Sequence, residues 1–342
     1  MENKNGEYLY FKIYSQLKQE LVDGVYKVGD AFPPERALKE RFSTTHITVR
    51  NALSRLVEEG YIERFSGRGT FVTYTGAEGI KKKDETPVTA VHLVAGSFDY
   101  FFTSILDRIE PEMRKAGIKL EVHAHRDDPV LVRAVSKDLS LQKECVSIYF
   151  FLETEITPGI AEVLPVNSVL LVPGEADTSL PQIICDIASG CWHASRYLSE
   201  SDDIQPAYIG DKPSFADRHK IEGFSRIIEP IVVYSGGTVE GGYQACGKVL
   251  TQQPRCRAFF CASDSIAAGV LRFLNEKGFQ KDNDYRIAGF GATPLAETLE
   301  IPSVDLELEK LSQTVLQNIF NFIQTRKLTA TTARIKTTFA LR

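Results

Sequence analysis

Tryptophan occurs once, methionine twice and cysteine six times in the 342 residues of this chain, and no two cysteines form a C-x-x-C pair. Cys145, Cys185, Cys191, Cys246, Cys256 and Cys261 therefore lack the spacing of a zinc ribbon or redox couple and read as reduced, mostly buried thiols. No apolar run approaches the roughly 18 residues of a membrane span. The most apolar stretch, Val146 to Leu152, is the size of one strand. Met1 to Glu7 hold no apolar segment and no small-residue cleavage site, so a cytoplasmic chain without membrane contact is expected. P-loop, G-x-S-x-G and H-E-x-x-H motifs are all missing. No catalytic residue, cofactor or metal is expected.

What the chain does have is ordinary globular material, 43% hydrophobic and 25% charged, in a length that suits two or three domains. Its net charge of -5 argues against a surface that coats nucleic acid everywhere. That average conceals an asymmetry. Residues 1–83 carry 14 Lys/Arg against 11 Asp/Glu, a net +3, and the remainder carries -8. Tyr74 to Pro87, rich in Gly and charge, reads as a linker, with Lys81 to Lys83 as a solvated run. The expected division is therefore residues 1–73, a linker at 74–87, and residues 88–342.

In the first segment Ile13, Leu17 and Leu21 make one stripe of a helix stopped by Gly24. Pro33-Pro34-Glu35-Arg36 begins a short second helix, because proline is tolerated in a first turn. Ser43-Thr44-Thr45 offers caps for a third, in which Val49, Leu53, Leu56 and Val57 share one face and His46, Arg50 and Ser54 the other. Two short strands, Tyr61 to Phe65 and Thr70 to Tyr74, then flank Ser66-Gly67-Arg68-Gly69. Three helices and a two-stranded hairpin, in that order, make a winged helix-turn-helix. Its third helix suits a major groove, where Arg50 can form a bidentate pair with guanine.

Gly29-Asp30, Pro33-x-Glu35-Arg36, Thr48-Val49-Arg50-x-Ala52-Leu53 and Gly67-x-Gly69-Thr70-Phe71-Val72 resemble the gluconate-repressor (GntR) family of bacterial transcription factors. The resemblance covers about Tyr10 to Val72. It implies double-stranded operator DNA as partner, contacted by Arg36, Thr45, His46, Thr48, Arg50 and the wing residues Gly67, Arg68 and Gly69. Where the family usually starts its recognition helix with Ser-Arg, this chain has Thr45-His46, which lacks the arginine fork.

From Val88 onward, short β-rich runs alternate with helical periods. Strands are expected at Val88–Ala95, Ile118–His125, Ser147–Phe151, Ser168–Val172, Gln182–Cys185, Pro206–Ile209, Ile231–Tyr234, Ala258–Cys261 and Arg286–Phe290. Helices are expected at Phe102–Ala116, Ser189–Leu198, Glu240–Thr251 and Ser265–Lys277, among others. This pattern predicts an α/β fold of two subdomains with parallel sheets, with ligands held beyond the carboxyl ends of the strands. Polar and aromatic residues gather there: Phe98, Tyr100, Phe101 and Phe102, then Asp186, Arg218, Lys220, Tyr234, Ser263 and Asp264. Rings stack on sugar faces while Asp and Arg hold hydroxyls. Helix-start core packing for Phe101 and Phe102 remains equally open, and Asp264 can cap a helix while contacting ligand. His123 and His125 would place two imidazoles on one strand face, a possible metal pair without further ligands nearby, and they read as surface or cleft residues.

Asp186-x3-Gly190, Arg218-x4-Gly223-Phe224, Thr238-x-Glu240-Gly241-Gly242-Tyr243, Ala262-Ser263-Asp264 and Ile287-Ala288-Gly289-Phe290 are similar to the effector domain of the LacI/GalR family, itself like periplasmic sugar-binding proteins. Lys220 stands where that family has its ligand arginine, Arg218 is offset by two, and Gly291 replaces an aspartate. A GntR-type head on a LacI-type body resembles the arabinose-repressor subgroup. This implies a homodimeric repressor of carbohydrate-utilisation genes whose operator affinity responds to a monosaccharide or sugar phosphate. A regulator sensing a non-sugar metabolite, and a catalytic or sugar-binding protein whose head does not bind DNA, are the alternatives.

Overall fold

The computed structural model describes residues 6–65, 69–74, 88–199, 205–328 and 332–342. Chain contacts divide it into two units, Met1–Glu85 and Thr86–Arg342. Most of the expected linker, and Gly67 and Arg68 of the wing, lie outside the described residues.

In the first unit, the head, α1 (Gly6–Val22) buries Ile13, Leu17 and Leu21, and Gly24 beyond it takes a left-handed φ of 74°. Pro34 caps α2 (Glu35–Arg41). The Thr45 hydroxyl accepts from the Thr48 N–H at 3.3 Å to start α3 (His46–Glu58). Val49, Ala52, Leu53 and Leu56 of α3 meet the α1 stripe in one core with Phe32, Leu38 and Ile62. The wing strands β1 (Ile62–Phe65) and β2 (Gly69–Val72) pair antiparallel from Ile62↔Val72 to Phe65↔Gly69. Residues 29–32 add a third ribbon, which the sequence reading lacked. Gly29 N–H bonds Val72 O at 2.8 Å, Phe32 N–H bonds Thr70 O at 2.8 Å, and Ala31 bridges Phe71.

In the second unit, the body, the first lobe starts with β3 (Ala90–Ala95), α4 (Tyr100–Lys115), β4 (Lys119–Ala124) and α5 (Pro129–Ser140). It continues with β5 (Cys145–Phe150), α6 (Pro158–Ala161), β6 (Ser168–Val172) and β7 (Gln182–Asp186). The second lobe follows as α7 (Ile187–Leu198), β8 (Ala207–Gly210), α8 (Phe215–Ser225), β9 (Ile231–Tyr234) and α9 (Val239–Gln252). Then come β10 (Ala258–Cys261), α10 (Asp264–Glu276), β11 (Arg286–Phe290), α11 (Pro294–Thr298) and β12 (Ser303–Asp305). The chain returns through α12 (Leu308–Thr325), which packs on α4, to β13 (Thr332–Lys336) and β14 (Thr338–Ala340). Every strand read from the sequence is present with its ends moved by at most two residues.

The lobes are two six-stranded sheets, ordered β13-β7-β6-β5-β3-β4 and β14-β12-β11-β10-β8-β9. All pairings are parallel except that of β14 with β12. β3, β5 and β6 are buried along their whole length, which is why they read as near-continuous apolar runs. The chain passes between the lobes at residues 186–187, 305–308 and 336–338. Thr337 ties two of these crossings together: its hydroxyl donates to Asp186 O at 2.7 Å and accepts from Gly190 N–H at 2.8 Å. Thr338 donates to the Glu307 carboxylate of the third at 3.0 Å.

Helices α9 and α10 approach with backbones nearly touching. A Cβ on Gly269 would lie 1.9 Å from Val239 O, and one on Gly242 2.2 Å from Ile266 O. Gly269→Ala is expected to force these helices apart and lower body stability by roughly 1–3 kcal/mol, read as a reduced urea midpoint.

Candidate DNA interface and effector cleft

The exposed surface of the head centres on the first turns of α2 and α3. The Arg36 side chain is 86% exposed, with Glu40 3.3 Å away, and the Arg50 side chain is 69% exposed. Glu35 lies between two cations, 3.8 Å from Arg50 Nε and 3.2 Å from Arg64 Nη2. Exposed pairs of this kind contribute about 0–1 kcal/mol, so a phosphate or base edge can compete for either guanidinium. Thr45 and His46 are exposed, whereas Thr48 is buried, its hydroxyl 2.9 Å from that of Thr45. Thr48 thus holds the helix start while its neighbours face outward. Two residues absent from the sequence reading join this surface. Arg64 comes from the wing strand, and Ile47, 74% exposed, is an apolar tip suited to a thymine methyl. Gly69, with φ 106°, ends the described part of the wing.

In the first lobe of the body the aromatic cluster divides in two. Phe101 and Phe102 are buried and pack on Phe150, with ring centroids 6.5 and 5.1 Å away. They take the core-packing role that the sequence left open. Asp99 caps α4 by accepting from Phe102 N–H at 3.0 Å, which leaves Phe98 and Tyr100 exposed on either side. Phe98 leans on Phe102 at 5.1 Å. Exposed rings over a buried aromatic base thus stand just past the end of β3, where a flat apolar ligand face could stack.

In the second lobe most of the predicted polar residues do structural work as well. Asp186 caps α7 through Ser189 N–H at 3.3 Å and lies 3.8 Å from Arg334. Ser263, not Asp264, caps α10, accepting from Ile266 N–H at 3.3 Å. Asp264 is 1% exposed and accepts from Ser303 Oγ at 2.6 Å and Thr293 N–H at 2.7 Å. Burial pushes its carboxyl above the ordinary range, and the two donors pull it part of the way back. Gly291 has φ 117°, and a Cβ there would start 3.3 Å from Thr293 Cγ2 and 3.5 Å from the Asp264 carboxylate. Arg218 is exposed and pairs with Glu155 of the first lobe while lying over the Phe215 ring.

Lys220 is different. It is 8% exposed, donates to Ala262 O at 3.2 Å and sits 4.3 Å above the Phe290 ring, at the ends of β10 and β11. Among the described residues it forms no ion pair with a carboxylate. Asp217, one turn away and 3% exposed, accepts from the Tyr208 hydroxyl instead. Tyr234, 38% exposed, packs over Gly210 beside it. Burial raises the Tyr234 phenol, and the Asp217 charge raises it further. A sequestered cation, a buried carboxylate and a half-open tyrosine ring at the carboxyl end of one sheet suit a ligand bearing hydroxyls or an anionic group.

Residues 9–72 match the family described as bacterial regulatory proteins, gntR family. The first unit is a GntR-family head. The arabinose metabolism transcriptional repressor of Geobacillus stearothermophilus is 22% identical over 315 residues, covering 84% of either chain. A LacI-family regulator from Enterococcus faecium with bound ribose has a TM-score of 0.61 at 19% identity, covering 74% of this chain and 97% of that one. The CelR–cellobiose complex has a TM-score of 0.63 at 16% identity, covering 95% and 94%. The body therefore has the LacI-type, periplasmic-binding-protein-like fold. Among the described residues no helix is long and apolar enough to cross a membrane.

In the first lobe of the body the structure corrects the reading of His125 and gives His123 a partner. His125 is fully buried rather than a surface residue, and β4 ends before it, at Ala124. His123 meets His92 of β3, with Nε2 3.0 Å from Nδ1, a partner that no sequence spacing reveals. His125 packs on Phe151 and accepts from Asp127 N–H at 3.2 Å through Nδ1, while burial pushes it below its ordinary value of 6.5. The folded state thus binds this proton less readily than the unfolded chain does. The stability it contributes is complete above pH 6.5 and is lost as pH falls through the lower folded value. The melting temperature of the body is expected to fall on acidification from pH 8 to pH 5, with a shallower fall in His125→Gln. Parallel curves for the two proteins would remove His125 as a cause.

Proposed function

We propose that this chain is a transcriptional repressor of carbohydrate-utilisation genes, with a GntR-type head that binds operator DNA and a LacI-type body that binds a sugar or sugar phosphate. The observation that carries the reading is the pairing, in one chain, of an arginine-bearing winged head with a body that holds exposed aromatics and a buried lysine with no ion pair among the described residues. The similarity to an arabinose repressor along 84% of the chain supports the same combination.

The working form is a cytoplasmic homodimer on a pseudo-palindromic operator, its half-sites about one helical turn apart. The edge of β4 offers a pairing surface, where Val122 stands exposed beside Leu106 and Leu120. In the head, Arg36, Thr45, His46 and Arg50 touch DNA together with the wing of Gly67, Arg68 and Gly69. In the body, Phe98 and Tyr100 stack on the ligand's apolar face while Arg218, Lys220, Tyr234 and Ser263 hold its polar groups. Ligand closes the lobes, and its preference for the closed state is what shifts DNA affinity, by about 1–3 kcal/mol in typical coupled systems.

A thermal-shift screen of pentoses, hexoses, their phosphates and disaccharides tests the effector, since saturating ligand at a hundredfold excess adds roughly 2.7 kcal/mol. A hit is expected to weaken binding to a palindromic promoter duplex. If no sugar or sugar phosphate shifts the melt, the sugar assignment fails. If duplex binding is absent, the regulator assignment fails.

A further inference from the structure

On the face of the first sheet that packs under α5, away from the cleft, three side chains of the body converge. His92 lies in the middle of β3 and is fully buried; opposite it in the β4 register stands Glu121, and two residues on, on the same face, stands His123. His92 Nδ1 is 3.0 Å from His123 Nε2 and 3.6 Å from Glu121 Oε2, and His123 Nε2 is 3.8 Å from that same oxygen. The point equidistant from these three atoms lies about 2.0 Å from each, within the roughly 2.0–2.2 Å of zinc–imidazole and zinc–carboxylate bonds. The other carboxylate oxygen of Glu121 is 2.6 Å from Lys119 Nζ, which fixes the carboxylate while leaving Oε2 turned toward the histidines. Among the described residues this is the one trio of His, Cys, Asp or Glu side chains close enough to share an ion.

We propose that His92, Glu121 and His123 form a binding site for a divalent transition-metal ion of the zinc class. Two imidazole nitrogens and one carboxylate oxygen are the borderline donor set that such ions prefer, and Mg2+ or Ca2+ would demand more oxygen ligands. His123 and Glu121 keep side-chain exposures of 27% and 31%, so the fourth tetrahedral position opens to water on their own face of β4, opposite Leu120 and Val122. The ion clasps that edge strand to β3. Leu120 and Val122, alternating with the ligands, point to the opposite face.

The test uses full-length, tag-free protein stripped with a chelator and titrated with Co2+. One equivalent per chain is expected, with the visible bands of a tetrahedral nitrogen–oxygen site and without a thiolate charge-transfer band, because the six cysteines are buried and none belongs to the trio. Zn2+ should displace it and excess Mg2+ should not. His123→Ala and Glu121→Gln, both on an edge strand, should lose the stoichiometric ion while melting as cooperatively as the metal-free wild type. Absence of stoichiometric Co2+, unchanged binding in folded His123→Ala and Glu121→Gln, or a thiolate band would each overturn the site.

Discussion

Alanine at Arg50 is expected to weaken binding to a cognate operator by roughly 10- to 100-fold, the worth of one bidentate guanine contact, and to relax preference at that base pair. The fold should hardly notice. The side chain is 69% exposed and Glu35, its ion-pair partner among the described residues, stands 3.8 Å away, so the melting temperature of the head should stay within error. Fluorescence anisotropy across a salt series separates the two forms of contact. A base contact changes affinity for the cognate duplex more than for a scrambled one. A phosphate contact weakens both and flattens the salt slope by about one unit. Arg36→Ala provides the comparison from α2, and Glu35→Gln should move the other way, freeing Arg50 and Arg64 together. Wild-type affinity and specificity in Arg50→Ala would remove the recognition helix from DNA contact.

The parts of this fold that were legible in the sequence are those decided locally. A stripe such as Ile13, Leu17 and Leu21 announces a helix because its spacing and its stop at Gly24 lie within one window, and the runs at β5 and β6 announce buried strands likewise. What escaped depends on distant partners. Ala31 counts as strand only because Phe71 lies beside it, and β13 and β14 are short, half-exposed segments whose places come from β7 and β12. The site follows the same rule. Phe98 through Phe102 could be recognised as an aromatic cluster, yet the cap at Asp99 decides which rings are buried. Asp264 looked like a cap or a ligand, and Thr293 and Ser303, far along the chain, show that both its oxygens are occupied. Arg64 stands two residues from buried Ile62 in β1, so strand alternation assigns it inward although it is exposed, and the His92–His123 contact carries no local signal at all.

Lys220→Met is expected to abolish the effector response while making the free protein more stable. The two effects share one cause. An ammonium that is 8% exposed, with a carbonyl and an aromatic ring for company and no carboxylate partner among the described residues, has given up most of its hydration without a full ionic replacement. Methionine has a similar reach and no charge, so it can lie against Phe290 and relieve that cost, raising the melting temperature of the ligand-free body by a few degrees. The same change removes the buried cation of the proposed ligand site, and a charge-assisted hydrogen bond lost from a desolvated site costs roughly 10- to 100-fold in ligand affinity. The ligand-induced thermal shift should therefore vanish at concentrations that saturate wild type, and DNA affinity should no longer respond to ligand. Lys220→Arg puts the family's guanidinium at this position and should keep binding while altering the order of preference among ligands, since a planar fork holds hydroxyl pairs that a point charge does not. Unchanged ligand binding in Lys220→Met, with the chain folded, would move the effector away from the end of β10. A fall in melting temperature together with intact binding would make Lys220 a structural cation rather than the one held ready for ligand.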